Sequence, residues 1–168
     1  MADVAVTPAS ADEAPVLENL MQLYVHDMSA TFPIDVDESG RFRYDALPAY
    51  WREPDRRFPF LIRRDGRLAG FVLVTRGSPV TGDPADLDVA EFFVLRRWRR
   101  GGTGRAAAIQ LWDRMPGRWV VRVSSGNVAG IAFWRAVVRE YAGKSAEERT
   151  RPDPPHGWSD FVFPSRTS

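Results

Sequence analysis

Glu91 lies inside the run of β-branched, aromatic and aliphatic residues at 87–95, where an ionised carboxylate is out of place. On a strand, Leu87, Val89, Glu91, Phe93 and Leu95 alternate onto one face, so the carboxylate sits in an apolar row. Burial there raises its pKa toward a value useful to a general base. The same placement also suits a structural partnership with an arginine. Directly downstream come the basic segment Arg96-Arg97-Trp98-Arg99-Arg100 and the glycines Gly101, Gly102 and Gly104. Residues 103–115 then take a helical period. Ala108, Leu111, Trp112 and Met115 fall at i, i+3, i+4 and i+7, and Pro116-Gly117 ends the pattern. The glycines therefore sit at a helix N-terminus, where unpartnered N–H groups and the positive end of the macrodipole favour a phosphate oxygen. Glycine lets the backbone approach that anion closely.

The spacing Arg99-x-x-Gly102-x-Gly104 resembles the Q/R-x-x-G-x-G/A signature of the GNAT acetyltransferase superfamily. The strand end Phe92-Phe93-Val94, Trp98 before the arginine, and a helix beginning at Asn127 and carrying Trp134 extend the resemblance over about residues 70 to 140. It implies acetyl coenzyme A as cosubstrate. The pantetheine arm would run beside Phe92, Phe93 and Val94. Arg99, Arg100, Gly101, Gly102, Thr103, Gly104 and Arg105 would surround the pyrophosphate, backbone amides giving direction and arginines charge. Glu91 would be the base that frees the attacking amine, and the strand backbone near Val94 would hold the oxyanion.

Asn127 and Trp134 are two helical turns apart and share a face, with Ala129, Ala132, Phe133, Ala136 and Val137 as an opposite stripe of core spacing. Asn127 suits a cofactor contact and a helix cap alike. Trp134 stands where many members of the resembling family carry a tyrosine that protonates the leaving thiolate. Indole has one N–H and no proton to release near neutral pH, so Trp134 is read as packing on the cofactor, hydrogen-bonding to its sulfur, or simply filling the core. Tyr141 is a weaker candidate for the proton donor. For a cationic acceptor, Asp35 and Asp37 are the candidate anions, with Phe32, Tyr44, Tyr50 and Trp51 as walls. Solvated loop carboxylates read as easily.

The reading is thus an N-acetyltransferase that moves acetyl to a primary amine of a small molecule by direct attack in a ternary complex. No cysteine is present to carry a thioester intermediate, and no Ser–His–Asp arrangement or metal cluster is visible. A non-catalytic acyl coenzyme A sensor is the alternative that the missing tyrosine suggests. A basic-aromatic nucleic-acid patch at residues 96–100 is a third reading. A net charge of +1 offers no wider basic surplus to support it.

These side chains need a scaffold. With 168 residues, 44% of them hydrophobic and 27% charged, one domain with a substantial core is expected. The absence of cysteine, of an export signal and of any membrane-length apolar run predicts a cytoplasmic protein with no membrane partner. Monomer and homodimer both remain open. The pattern predicts a strand at 4–7 and a helix from about residue 12 bearing Leu17, Leu20, Met21, Tyr24 and Met28. An acidic loop at 29–40 and a short helix at 44–51 follow. Strands at 58–64 and 67–76 flank the hairpin turn Asp65-Gly66. After the central strand and its helix come a strand at 119–123, a helix at 127–140, strands near 141–144 and 158–163, and a loop at 145–156 between them. This order is an α/β (α+β) three-layer domain, a mixed and mostly antiparallel central sheet flanked by helices, in agreement with the GNAT-like fold.

Overall fold

The computed structural model describes residues 2–154 and 156–166. Its elements are β1 Val4–Pro8, α1 Ala14–Ser29, α2 Ala49–Arg52, β2 Arg57–Arg64, β3 Arg67–Arg76, β4 Leu87–Val94, α3 Thr103–Arg114, β5 Arg118–Ser124, α4 Val128–Ala142, β6 Glu147–Arg151 and β7 Trp158–Pro164. The seven strands form one sheet in the order β1-β2-β3-β4-β5-β7-β6. Every neighbouring pair is antiparallel except β4 with β5. Helix α1 covers one face, burying Leu17, Leu20, Met21 and Val25 against Leu61, Phe71, Leu73 and Phe93. Helices α3 and α4 cover the other, with Ala108, Leu111, Trp112, Trp134 and Val137 against Val72, Val89, Trp119 and Val121.

Local sequence accounts for most boundaries. The backbone N–H of Ser10 donates to Glu13 Oε2 at 3.0 Å, the reciprocal bond of a capping box, and Pro15 is accepted in the first turn of α1. Asp65 and Gly66 both have positive φ, 49° and 74°, the twist of a two-residue hairpin turn between β2 and β3. The short helix expected at 44–51 contracts to Ala49–Arg52 after a run of turns.

Three expectations change. Residues 141–144 are not a strand: α4 continues through Tyr141, whose ring packs between Trp112 and Phe163, and stops at Gly143, φ 55°. The last strand pair instead uses Glu147–Arg151, inside the expected loop. Its charged, outward-facing residues are those of a protected sheet edge, which resemble a loop in sequence. On α4 the buried stripe is Trp134, Val137, Val138 and Tyr141, while Ala129, Ala132 and Ala136 face solvent. The large side chains remove far more apolar area from water than the alanines would.

The third change concerns β4. Glu91 pairs with Leu73 and Val89 with Val74, so Ala90 is an extra residue without a partner on β3. This bulge reverses the alternation. Leu87 and Val89 face α3 and α4, whereas Phe93 and Leu95 face α1. The predicted single row is therefore split, and Glu91 is turned toward α1.

Candidate active site

Strands β4 and β5 are paired only at Leu87–Trp119, Asp88–Val120 and Val89–Val121. Past that point β4 runs on to Val94 beside β3 and β5 to Ser124 beside β7, and the two part. The bulge at Ala90 lies where they separate. A cavity of about 1010 Å³ opens into the gap, lined by residues of β4, β5, α1, the loop after α1, and the segment before β7. Leu95 N–H donates to Ala69 O at 2.8 Å, so by ladder alternation the N–H and C=O groups of Val94 and Phe92 point away from β3, toward the gap. Those of Phe93 point to β3, and its ring is buried in the α1-side core. Of the three strand residues singled out by sequence, two thus turn backbone groups toward the gap. The Val94 carbonyl accepts from Arg99 Nε at 2.7 Å.

Glu91 lines this cavity between two tyrosines. Tyr24 Oη donates to Oε2 at 2.5 Å and Tyr44 Oη to Oε1 at 2.9 Å. Burial pushes the Glu91 carboxyl above the ordinary carboxylate range, and the two hydroxyl bonds, which favour the ionised form, offset part of that push. Residual solvent contact comes through the cavity, while protein encloses the group elsewhere. Burial, then the adjacent carboxylate, raises both tyrosine pKa values far beyond any working pH, so both remain donors. Tyr24 comes from α1 and Tyr44 from the turns before α2. The sequence shows Tyr24 only as part of an apolar stripe, and Tyr44 only as a wall.

The glycine segment forms the predicted strand–turn–helix junction. Gly102 has φ 80° at the N-cap of α3, a conformation that side chains rarely adopt, and nothing lies within 4 Å of where its Cβ would be. Arg100 is also left-handed, φ 60°, and Gly101 and Gly102 are exposed. Gly104 answers a different constraint: a Cβ there would meet the Phe133 ring at 3.1 Å. Thr103 is buried, and Arg64 of β2 reaches across to donate from Nη1 to Thr103 Oγ1 at 2.8 Å and to Gly101 O at 3.1 Å. Arg64 and Arg97 also lie over the Trp98 ring, whose Nε1 donates to Leu68 O at 3.2 Å. Nothing in the sequence singles out Arg64, one arginine among many beside a hairpin turn.

Most loop arginines already have partners. Arg99 and Arg96 pair with Asp27 of α1 at 2.5 and 2.7 Å, and Arg105 pairs with Glu140 of α4. Among the described residues, Arg100 has no carboxylate partner.

Asn127 caps α4, its Oδ1 accepting from Gly130 N–H at 3.0 Å, and it also lines the cavity. Trp134 lines it too, edge-on to Phe92 with ring centroids 4.8 Å apart. Tyr141 does not. Its hydroxyl donates to Asp113 at 2.7 Å and accepts from Arg166 N–H at 3.1 Å, which ties the end of α4 to α3 and the C-terminal residues. Asp35 and Asp37 also lie outside the lining, although Pro33 and Ile34 belong to it. Asp37 Oδ1 instead accepts from the Ser39 and Arg41 N–H groups, fixing its own turn. Among the described residues, no group of three His, Asp or Glu side chains could hold a metal, and no helix is long and apolar enough to cross a membrane.

A family model described as the acetyltransferase (GNAT) family matches residues 17–137. No curated protein matches the chain at the sequence level. Among solved structures, an acetyltransferase from Thermus thermophilus superposes with a TM-score of 0.69 at 17% identity, 96% of each chain being covered. The ribosomal-protein-S18-alanine N-acetyltransferase from Escherichia coli gives 0.63 at 15% identity, covering 99% of this chain and 96% of its own. RimL, a ribosomal L7/L12 alpha-N-protein acetyltransferase in complex with coenzyme A, gives 0.66 at 12% identity, covering 96% and 93%. At these identities the structural likeness is one of fold.

Proposed function

From the premise that the chain belongs to the acetyltransferase (GNAT) family, whose members use acetyl coenzyme A, we propose that it acetylates the primary amine of a small molecule by direct attack in a ternary complex. The observation that carries this reading is the Glu91 carboxylate, held by Tyr24 and Tyr44 in a cavity that opens where β4 and β5 part. The residues fit the cosubstrate. Phe92 and Val94 turn backbone groups into the gap, and the first turn of α3 offers N–H groups at Gly102, Thr103, Gly104 and Arg105 beside an open Gly102.

When bound, acetyl coenzyme A supplies the activated acetyl group. In the chain, amides 102–105 receive the pyrophosphate, and Arg100 adds charge that its paired neighbours Arg99 and Arg105 supply less freely. Asn127 and Trp134 flank the arm from α4. Glu91 accepts the proton that the acceptor ammonium must lose, because only a neutral amine carries the attacking lone pair. The raised pKa makes Glu91 a stronger base than an exposed carboxylate, and Tyr24 and Tyr44 hold it in place. The whole chain acts as one such catalytic domain.

Calorimetry with acetyl coenzyme A and thiol release in an amine screen test this together. Glu91→Gln is expected to bind cosubstrate like the wild type and to turn over 10²- to 10⁴-fold more slowly, roughly the usual contribution of a positioned base. Unchanged turnover would remove Glu91 from the mechanism.

A further inference from the structure

The chemistry of the Glu91 cavity narrows the acceptor. Resting on the small-amine reading above, we infer that the acceptor is a mono-amine on an aromatic body and not a polyamine. Charge argues first. Among the described residues, Glu91 is the one carboxylate lining the cavity, and its oxygens already accept from Tyr24 and Tyr44. Three guanidiniums, Arg43, Arg57 and Arg122, share the lining. Arg43 is paired with Asp45, Arg57 with Glu53 and Arg122 with the buried Asp88, so among the described residues no lining anion is left to receive a second ammonium. A polycation would bring its extra charges against arginines and lose their hydration without compensation.

Shape argues second. Phe32, His156 and Trp158 form a continuous run of half-buried rings on the cavity wall. Their successive centroids are 5.4 and 5.1 Å apart, at tilts of 44° and 50°. Two distant segments build this run, the loop after α1 and the start of β7. Gly126 makes the closure possible: a Cβ there would stand 3.3 Å from the Phe32 ring. Aromatic neighbours at such spacings favour a further ring in tilted or offset contact, and each ring left half-buried has apolar surface still to cover. Ile34, exposed at the same rim, extends the apolar approach. The site therefore offers one polar end at Glu91 and an aromatic slot for the remainder of the molecule.

The test compares initial rates of thiol release from acetyl coenzyme A by the full chain with 2-phenylethylamine, hexylamine and spermidine. The expected order of kcat/KM is phenylethylamine, then hexylamine about tenfold lower, then spermidine at least a hundredfold below the first. Phe32→Ala and Phe32→Leu, both checked for an unchanged circular-dichroism spectrum, are each expected to lower the phenylethylamine-to-hexylamine ratio about tenfold, since leucine fills space without a ring. A ratio that survives both variants overturns the aromatic slot. Spermidine as the best acceptor overturns the inference while leaving the small-amine reading intact. Silence with all three amines, while calorimetry still shows acetyl coenzyme A binding, overturns both.

Discussion

Two halves of the site meet at β4, and they are built in opposite ways. The glycine loop is contiguous: strand end, basic turn and helix start follow one another within residues 92–105, and its shape is set by local backbone rules. The Glu91 pocket is assembled from α1, the turns before α2, the bulge in β4, the end of β5 and the segment before β7. One half is specified by a short word in the sequence. The other exists only once the sheet has formed, so its residues carry no common spacing. The contiguous half should be brittle to changes at its glycines, and the assembled half should respond gradually as single walls are removed.

Gly104→Val tests the brittle half and should have the largest effect on cosubstrate affinity. Its Cβ would stand 3.1 Å from Phe133 and 3.6 Å from Phe92, both anchored by aromatic packing, so the first turn of α3 must shift. Overpacking of this kind costs about 1–3 kcal/mol. Calorimetry is expected to show acetyl coenzyme A affinity reduced more than tenfold. Wild-type affinity would mean that amides 102–105 do not set the binding geometry.

The pocket half should reveal itself in its pH dependence. Glu91 acts as a base only when ionised, and burial raises its pKa, so kcat/KM should fall as pH drops through that raised value. The Tyr44 hydroxyl bond favours the ionised form. Tyr44→Phe should therefore move the acidic limb to higher pH, with a several-fold loss of rate at neutral pH and little change in cosubstrate affinity. A limb that stays in place would assign it to a group other than Glu91.

The sequence disclosed these halves unequally for physical reasons. The helix starting at Thr103, its apolar face, the Asp65-Gly66 hairpin and the family signature rest on interactions within a few residues, and they stand as expected. Glu91 was legible because a charged residue contradicts an apolar strand. Its orientation was not, because the Ala90 bulge depends on the partner register in β3. Tyr24 and Tyr44 reach it from 67 and 47 residues away. The same separation explains Asp35 and Asp37, whose acidity drew attention while the cavity took its neighbours Pro33 and Ile34. Tyr141 misled in another way. Its ring completes the α4 core stripe, and its hydroxyl serves Asp113.

A smaller effect is expected at Arg64, which supports the glycine loop from outside the motif. Arg64→Ala removes the bonds to Gly101 O and Thr103 Oγ1 and the contact with Trp98. The expected result is a threefold to tenfold rise in KM for acetyl coenzyme A, about 1 kcal/mol, with KM for the amine unchanged. Equal rises in both would show that the halves are coupled more tightly than their construction suggests.

A direct link between the halves is Asp27, and it sets the smallest expected effect. From α1 it receives Arg99 and Arg96, and Arg99 in turn holds the Val94 carbonyl at the edge of the gap. Burial pushes the Asp27 carboxyl upward, but the bonds from Arg99 and Arg96 outweigh it and hold the pKa below its ordinary value. A carboxylate with a lowered folded pKa stabilises the fold above its unfolded pKa, and that contribution fades as pH falls through the folded value. Asp27→Asn should therefore destabilise by about 1 kcal/mol or less at neutral pH, since both guanidiniums are well solvated, and the difference from wild type should vanish in acid. Thermal melts at pH 7 and at a series of falling acidic pH values in low salt check the sign. If Asp27 is only a strut, both KM values stay where they are. If it sets the angle at which α1 presents Tyr24 to Glu91, KM for the amine rises while KM for acetyl coenzyme A does not, and the contiguous half is then seen to steer the assembled one.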